Sequence, residues 1–150
     1  MPMRDLARNV VNLLCRGTVT LANATGNLQT LQLALLADEN KDDVEHFEPY
    51  GFTSNPLPGA EVLAAFVEGD RSHGIVVVAA DRRYRVVGLT PGDVALYNDQ
   101  GVEIKLSGNT VSVSGANAVT VTGGDVTADG ISLKNHYHTY SGGNTSAAVG

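Results

Sequence analysis

Apolar positions along this chain change their period as the sequence proceeds. Leu6, Val10, Leu13 and Leu14 recur at helical spacing and Gly17 closes the segment, which predicts a helix over about residues 4–15, within an N-terminal segment 1–16. From Gly17 the period shortens to two. Gly17–Leu21 and Leu28–Leu36 read as strands around a turn at Asn23–Asn27, and the alternation Leu31, Leu33, Leu35 turns one face inward. Asp38–Glu48 and Gly51–Gly59, the latter carrying Pro56 and Pro58, read as loops. Strands are predicted again at Glu61–Val67, Gly74–Ala80 and Arg85–Leu89. Five short strands between residues 17 and 90 fit a small barrel of the OB type.

Beyond Pro91-Gly92 the rule changes. Gly101, Gly108 and Gly115 stand seven residues apart, and Gly123 and Gly130 continue at nearly that interval. Between them lie Val102/Ile104/Leu106, Val111/Val113, Val119/Val121 and Ile131/Leu133, with Ser112, Ser114, Thr120, Thr122 and Ser132 on the opposite face. A repeat this short cannot bury its apolar face alone and must stack on something. Alone it would also expose long, uncharged strand edges. Three copies winding into a triangular β-prism would pair every edge and place Val111, Val113, Val119 and Val121 on the axis. An ordinary β-sandwich is the other solution, and periodicity leaves both open.

Composition sharpens this division. Of 150 residues, 43 % are apolar, enough for a folded core, while only 17 % are charged. Those charges are unevenly spread. Asp38–Glu48 holds six acids and one lysine, whereas beyond Lys105 only Asp125, Asp129 and Lys134 are charged. The formal net charge of −6 argues against general nucleic-acid binding, which draws on Lys and Arg to displace counterions. Cys15, the single cysteine, has no disulfide partner in its own chain. No apolar run is longer than Ile75–Ala80, which is far short of a membrane span, and the N-terminus lacks a secretory layout. A soluble protein made in the cytoplasm is the expectation.

The one sharp chemical signal is Lys134-Asn-His-Tyr-His-Thr139. Residues two apart in an extended strand face one side, so His136 and His138 would point together. Two imidazoles alone make a weak metal site, and a His-x-His near a chain end is also what a solvated tail looks like. In a three-fold assembly the same pair becomes six nitrogens around one axis, an octahedral set suited to iron, cobalt or nickel better than to zinc. No catalytic set is expected elsewhere. Asp70, Ser72 and His73 offer triad residue types, but neighbours in a tight turn do not adopt triad geometry. Glu68 and Asp70 form a carboxylate pair without a cleft-forming domain around it. His46 reads as a solvated loop residue. Phe47, Tyr50, Phe52, Tyr84 and Tyr97 are expected to pack rather than bind.

Gly51-Phe-Thr-Ser-Asn-Pro-Leu-Pro-Gly-Ala-Glu61, Gly69-Asp-Arg-Ser-His-Gly74, Asp81-Arg-Arg-Tyr-Arg85, Pro91-Gly-Asp-Val-Ala-Leu-Tyr97 and Asp99-Gln-Gly101 follow one another in an order that resembles the central spike family of Mu-like contractile-tailed phages, also described as baseplate assembly protein V or the membrane-piercing tail spike. The resemblance runs from about Arg4 to Thr139. It implies an all-β homotrimer with an OB barrel at 17–90, an intertwined triple-stranded β-helix at 91–133 and a metal-capped apex at 134–150. It implies that His136 and His138 of three chains hold one iron ion, with calcium and chloride within the helix; Asp129 is a candidate for the calcium. The shaft is short for the family. The implied role is mechanical rather than enzymatic: a spike at the tail baseplate tip of the virion, assembled in the host cytoplasm. It would join hub and tail-tube proteins, bind no nucleic acid, and pierce the host outer membrane without residing in it. An OB module binding carbohydrate or nucleic acid is the alternative, and a peptidoglycan hydrolase ranks third for want of a positioned acid pair or nucleophile.

Overall fold

The computed structural model describes residues 13–36, 39–66 and 70–144. Among them the regular elements are strands, and the chain divides into two compact units, Met1–Leu89 and Thr90–Gly150.

The first unit is a closed barrel of β1 (Leu14–Asn23), β2 (Gln29–Leu35), β3 (Asn40–His46), β4 (Glu61–Phe66) and β5 (Gly74–Ala80), in the order β1-β2-β3-β5-β4. Neighbours are antiparallel except β3 and β5, which pair in parallel, and β1 closes the ring on β4. Alternate residues supply the core: Leu31, Leu33 and Leu35 from β2, Val62, Ala64 and Phe66 from β4, with Val19, Val44 and Val76. Three register shifts help so few strands curl into a ring. They leave Thr20 unpaired on β1, Val77 on β5, and a bulge at Asp42–Asp43 on β3, where Asp43 takes φ 52°. Side chains stitch two of these irregularities together. Thr20 Oγ1 donates to Gln32 Oε1 at 2.9 Å, and Gln32 Nε2 donates to Asp42 Oδ1 at 2.5 Å.

Three expectations for this unit need correction. The helix over 4–15 lies largely outside the described residues, but its end does not: Leu14, Cys15 and Arg16 belong to β1. Gly17, which reads as a helix stop, is a strand position where the backbones run close. A Cβ there would stand 2.8 Å from the Ala34 carbonyl oxygen and 2.6 Å from Leu35 Cδ2. The acidic stretch is a strand as well as a loop. In β3 only Val44 and His46 face inward and are buried, so the outward positions can carry Asp42, Asp43 and Glu45 in water. With β3 in the ring, Arg85–Leu89 is not needed as a fifth strand. Tyr84 and Arg85 instead donate their amides to the Asp81 carbonyl in a turn, and the Asp81 carboxylate grips Arg83.

The second unit begins with a meander of β6 (Val94–Tyr97), β7 (Glu103–Ser107) and β8 (Thr110–Ser114). Two short hairpins follow, β9 (Thr127–Ala128) with β10 (Ile131–Ser132), and β11 (Thr139–Tyr140) with β12 (Gly143–Asn144). Ser107 pairs with Thr110 around Gly108 at φ 55°, and Ala128 pairs with Ile131 around Asp129 at φ 49° and Gly130 at φ 81°. These are the positive-φ positions that two-residue hairpin turns require. Asp93 secures the start of the meander. Its carboxylate accepts from Thr90 N at 3.1 Å and pairs with Lys105 Nζ at 3.2 Å; the Ser107 hydroxyl and then Thr90 hold its carboxyl far below the usual range.

Candidate metal centre and assembly face

The register of the meander sorts its side chains. Val94 lies opposite Leu106 and Leu96 opposite Ile104 across β6 and β7; Ile104 lies opposite Val113 and Leu106 opposite Val111 across β7 and β8. One face of the sheet is thus six aliphatic residues, and in the single chain they are 39 to 68 % exposed. The other face carries Glu103, Lys105, Ser112 and Ser114. Val119, Val121, Val126, Ile131 and Leu133 continue the exposed apolar series. Among the described residues no strand is assigned from 115 to 126, although Val119 and Val121 keep the alternation of the segments before them. Val111 and Val113 therefore share a face as expected, whereas Val119 and Val121 have no ladder within their own chain.

His136 and His138 follow β10 in irregular backbone rather than in a strand. Their rings nevertheless come together, with centroids 5.3 Å apart and planes at 87°. His136 is half-buried along a groove of about 300 Å³ lined by Val126, Ala128, Ile131, Ser132 and Leu133. Its Nδ1 meets two carbonyl oxygens, Ser132 O at 3.1 Å and Leu133 O at 3.0 Å. A carbonyl can only accept, so Nδ1 donates, and in the neutral ring the lone pair then lies on Nε2. That is the tautomer a metal-binding histidine needs, held by the backbone contact that usually accompanies such ligands.

The turn beneath His136 is tied to an earlier residue. Asp125 Oδ1 accepts from Val126 N at 2.8 Å and Lys134 N at 3.1 Å, and Oδ2 accepts from the Ser132 hydroxyl. Ser132 Oγ in turn accepts from Asn135 N at 2.7 Å, and Ser132 O from His136 N at 3.0 Å. The Ser132 hydroxyl, first among these donors, keeps the Asp125 carboxyl below the ordinary carboxylate range. Nothing in the sequence pattern singled out Asp125. Asp129, the calcium candidate, is a turn residue whose left-handed backbone closes the β9–β10 hairpin. Among the described residues no group of three or more His, Cys, Asp or Glu side chains is gathered for a metal.

The remaining candidates are accounted for in the barrel. Ser72 Oγ donates to Asp70 Oδ1 at 2.7 Å, its amide donates there at 2.8 Å, and His73 N donates to Asp70 O at 3.2 Å. This is a turn in which the hydroxyl points at the acid and not at an imidazole. Glu68 lies outside the described residues. His46 is not solvated: it is 5 % exposed, its Nδ1 is 2.9 Å from Gln29 Oε1, and Gln29 Nε2 donates to Ser54 O at 2.7 Å. Burial pushes its pKa down. Phe47, Tyr50, Phe52, Tyr84 and Tyr97, expected to pack, are exposed. The first three stand on a loop fastened by Glu48, which accepts from Ser54 N at 2.6 Å and Thr53 Oγ1 at 2.9 Å. Burial disfavours the Glu48 charge, but these donors outweigh it and hold the carboxyl below its usual range.

Residues 16–83, which take in nearly the whole barrel, match the family model described as bacteriophage Mu Gp45, N-terminal. The chain is 45 % identical over 105 residues to the baseplate puncturing device gp45 of Escherichia phage Mu, a match covering 70 % of this chain and 53 % of that protein. It is 36 % identical over 116 residues to the Mu-like prophage FluMu protein gp45 of Haemophilus influenzae, covering 77 % of this chain and 63 % of the relative. The chain thus spans between about half and two thirds of the curated relatives it matches. His136 and His138 lie beyond the residues of the family model. With nearly all of the barrel and the motifs from Gly51 to Arg83 inside that match, the chain belongs to the bacteriophage Mu Gp45 family.

Proposed function

We propose that this chain is the central spike of a contractile phage tail baseplate, a homotrimer that pierces the host outer membrane mechanically when the sheath contracts. The observation that carries this reading is the six-residue aliphatic face of β6–β8, continued by Val119 and Val121 without a ladder of their own. Exposed patches of this kind mark surfaces meant to be covered. Three chains wound about one axis would cover this face and supply the missing strand partners in one step. In that assembly the chain would join hub and tail-tube proteins. A relative named as a baseplate puncturing device supports a role at the baseplate. The task transmits force through hydrogen bonds between chains and hydrolyses no host bond, so no catalytic group is assigned.

At the apex, His136 and His138 of three chains fit a shared metal ion, because His136 already presents Nε2 and the rings adjoin. Six imidazole nitrogens suit iron, and also nickel or cobalt. Such an ion, when bound, would tie three chain ends where force is concentrated. The calcium and chloride that the resemblance implies gain no ligand set from Asp129.

A second reading draws on the barrel. The exposed aromatics of the 47–52 loop are what a carbohydrate-binding OB module would display, and that reading predicts a monomer. Sedimentation equilibrium separates the two. The spike requires about three times the 15.7 kDa chain mass and one metal ion per three chains by elemental analysis. A stable monomer at micromolar concentration would end the spike reading.

A further inference from the structure

We propose that Asp125 is the positioning residue for His136, presetting the imidazole that faces the apical metal. The inference rests on the metal reading given above and adds to it a residue that is not a ligand. The argument is a continuous path of hydrogen bonds. Asp125 holds the Ser132 hydroxyl on one oxygen and the amides of Val126 and Lys134 on the other, so one carboxylate fixes both arms of the turn. A backbone bond from Leu133 N to Val126 O at 2.7 Å runs beside it. Ser132 then passes the constraint on, its Oγ receiving Asn135 N and its carbonyl receiving both His136 N and His136 Nδ1. One of the two carbonyls that select the tautomer of His136 thus belongs to Ser132, the residue whose hydroxyl Asp125 holds.

The chemistry calls for an acid here. Three donors converge on Asp125 and no acceptor does, which a carboxylate satisfies and an amide does not. In Asp125→Asn one of the two oxygens becomes an NH2 group. If it faces Ser132, the hydroxyl must accept from it while already accepting from Asn135 N, and the hydroxyl proton loses its acceptor. Residues that orient metal-binding histidines in this way typically change metal affinity by about 10–100-fold when replaced.

The experiment uses the full chain as wild type, Asp125→Asn, Ser132→Ala and the ligand-free control His136→Ala/His138→Ala. Ferrous iron is titrated against a competing chelator, and nitrogen NMR of histidine-labelled, metal-free protein reports the imidazole tautomers. The expected result is a single Nδ1-protonated His136 in wild type and a tautomer mixture in Asp125→Asn and Ser132→Ala. Iron affinity should fall at least about tenfold in both, with the sedimenting mass unchanged. Wild-type affinity and an unchanged His136 spectrum in both variants would overturn the proposal. If Asp125→Asn does not fold, Ser132→Ala decides, since it breaks the path at its second step and leaves the Ser132 carbonyl in place. If wild type takes up no iron, the metal reading fails. The tautomer spectra then still decide whether Asp125 positions His136.

Discussion

Gly108 and Gly115 offer a matched test of the shaft. Both have positive φ, 55° and 71°, but their surroundings differ. A Cβ on Gly108 would meet nothing within 4 Å, whereas one on Gly115 would lie 2.1 Å from the Gly101 carbonyl oxygen and 2.9 Å from its carbon. Gly108→Ala therefore costs only the left-handed conformation, roughly 1–2 kcal/mol, offset by about 0.4–1 kcal/mol from the stiffer unfolded chain. Gly115→Ala bears the same terms and must also push two backbone segments apart by roughly 1 Å, which adds on the order of 1–3 kcal/mol. The expectation is a loss of about 1 kcal/mol per chain for the first and about 3 kcal/mol for the second. Calorimetry on the purified proteins, at matched concentration because the stability of the proposed assembly would depend on it, reads the ratio directly. Equal losses would refute the claim that contact with Gly101 dominates. A larger loss at Gly108 would mean that another chain occupies the space that is open within one.

Other expectations follow from the same structure. Phe66→Ala empties the barrel core and takes away the ring that lies 4.1 Å from the Arg71 guanidinium carbon, so urea denaturation should register a loss of about 3–5 kcal/mol. Burial holds the pKa of His46 in the folded protein below 6.5, so the unfolded chain takes the proton first. Stability should be level above pH 6.5 and decline as pH falls from 6.5 through the lower folded pKa, with His46→Gln flattening that slope. Glu39, Glu48 and Glu61, held below 4.5 by their partners, are expected to add a further loss only under that value. Val113→Asp would place a charge on the aliphatic face and should abolish the proposed trimer in sedimentation. Ser112→Asp, beside Lys105 on the polar face, should leave it intact; the reverse result would invert the assigned faces.

What could be read in advance depended on how many competing patterns a segment carried. Leu31, Leu33 and Leu35 alternate cleanly, and β2 buries them as expected. In β3 the two inward residues, Val44 and His46, are outnumbered by acids, so composition hid a period that was present. Leu13 and Leu14 fit a helical stripe as well as a strand, and it is the ladder of Leu14–Gly17 on Val62–Ala65 that makes them the start of β1. At the apex, His136 and His138 stood out because imidazoles two apart are a rare pattern with a definite chemistry. Asp125 did not, because a lone aspartate acquires meaning only when the turn brings Ser132 and Lys134 onto it.

The two-residue turns at Gly108 and at Asp129-Gly130 also bear on the order of events. Isolated hairpins close in about 1–10 μs, while chains find one another in milliseconds to minutes at a rate set by concentration. The pairings of Ser107 with Thr110 and of Ala128 with Ile131 lie within one chain and can form before any encounter. The stretch from 115 to 124 has no ladder among the described residues, and in the proposed assembly it would take its strand partners from other chains. In a three-chain assembly the hairpins would act as rulers, setting how far along the axis each chain may slide before the stretch between them is captured. A change that loosens either turn should therefore appear first as misaligned, slowly maturing oligomers, and only later as a lower melting temperature.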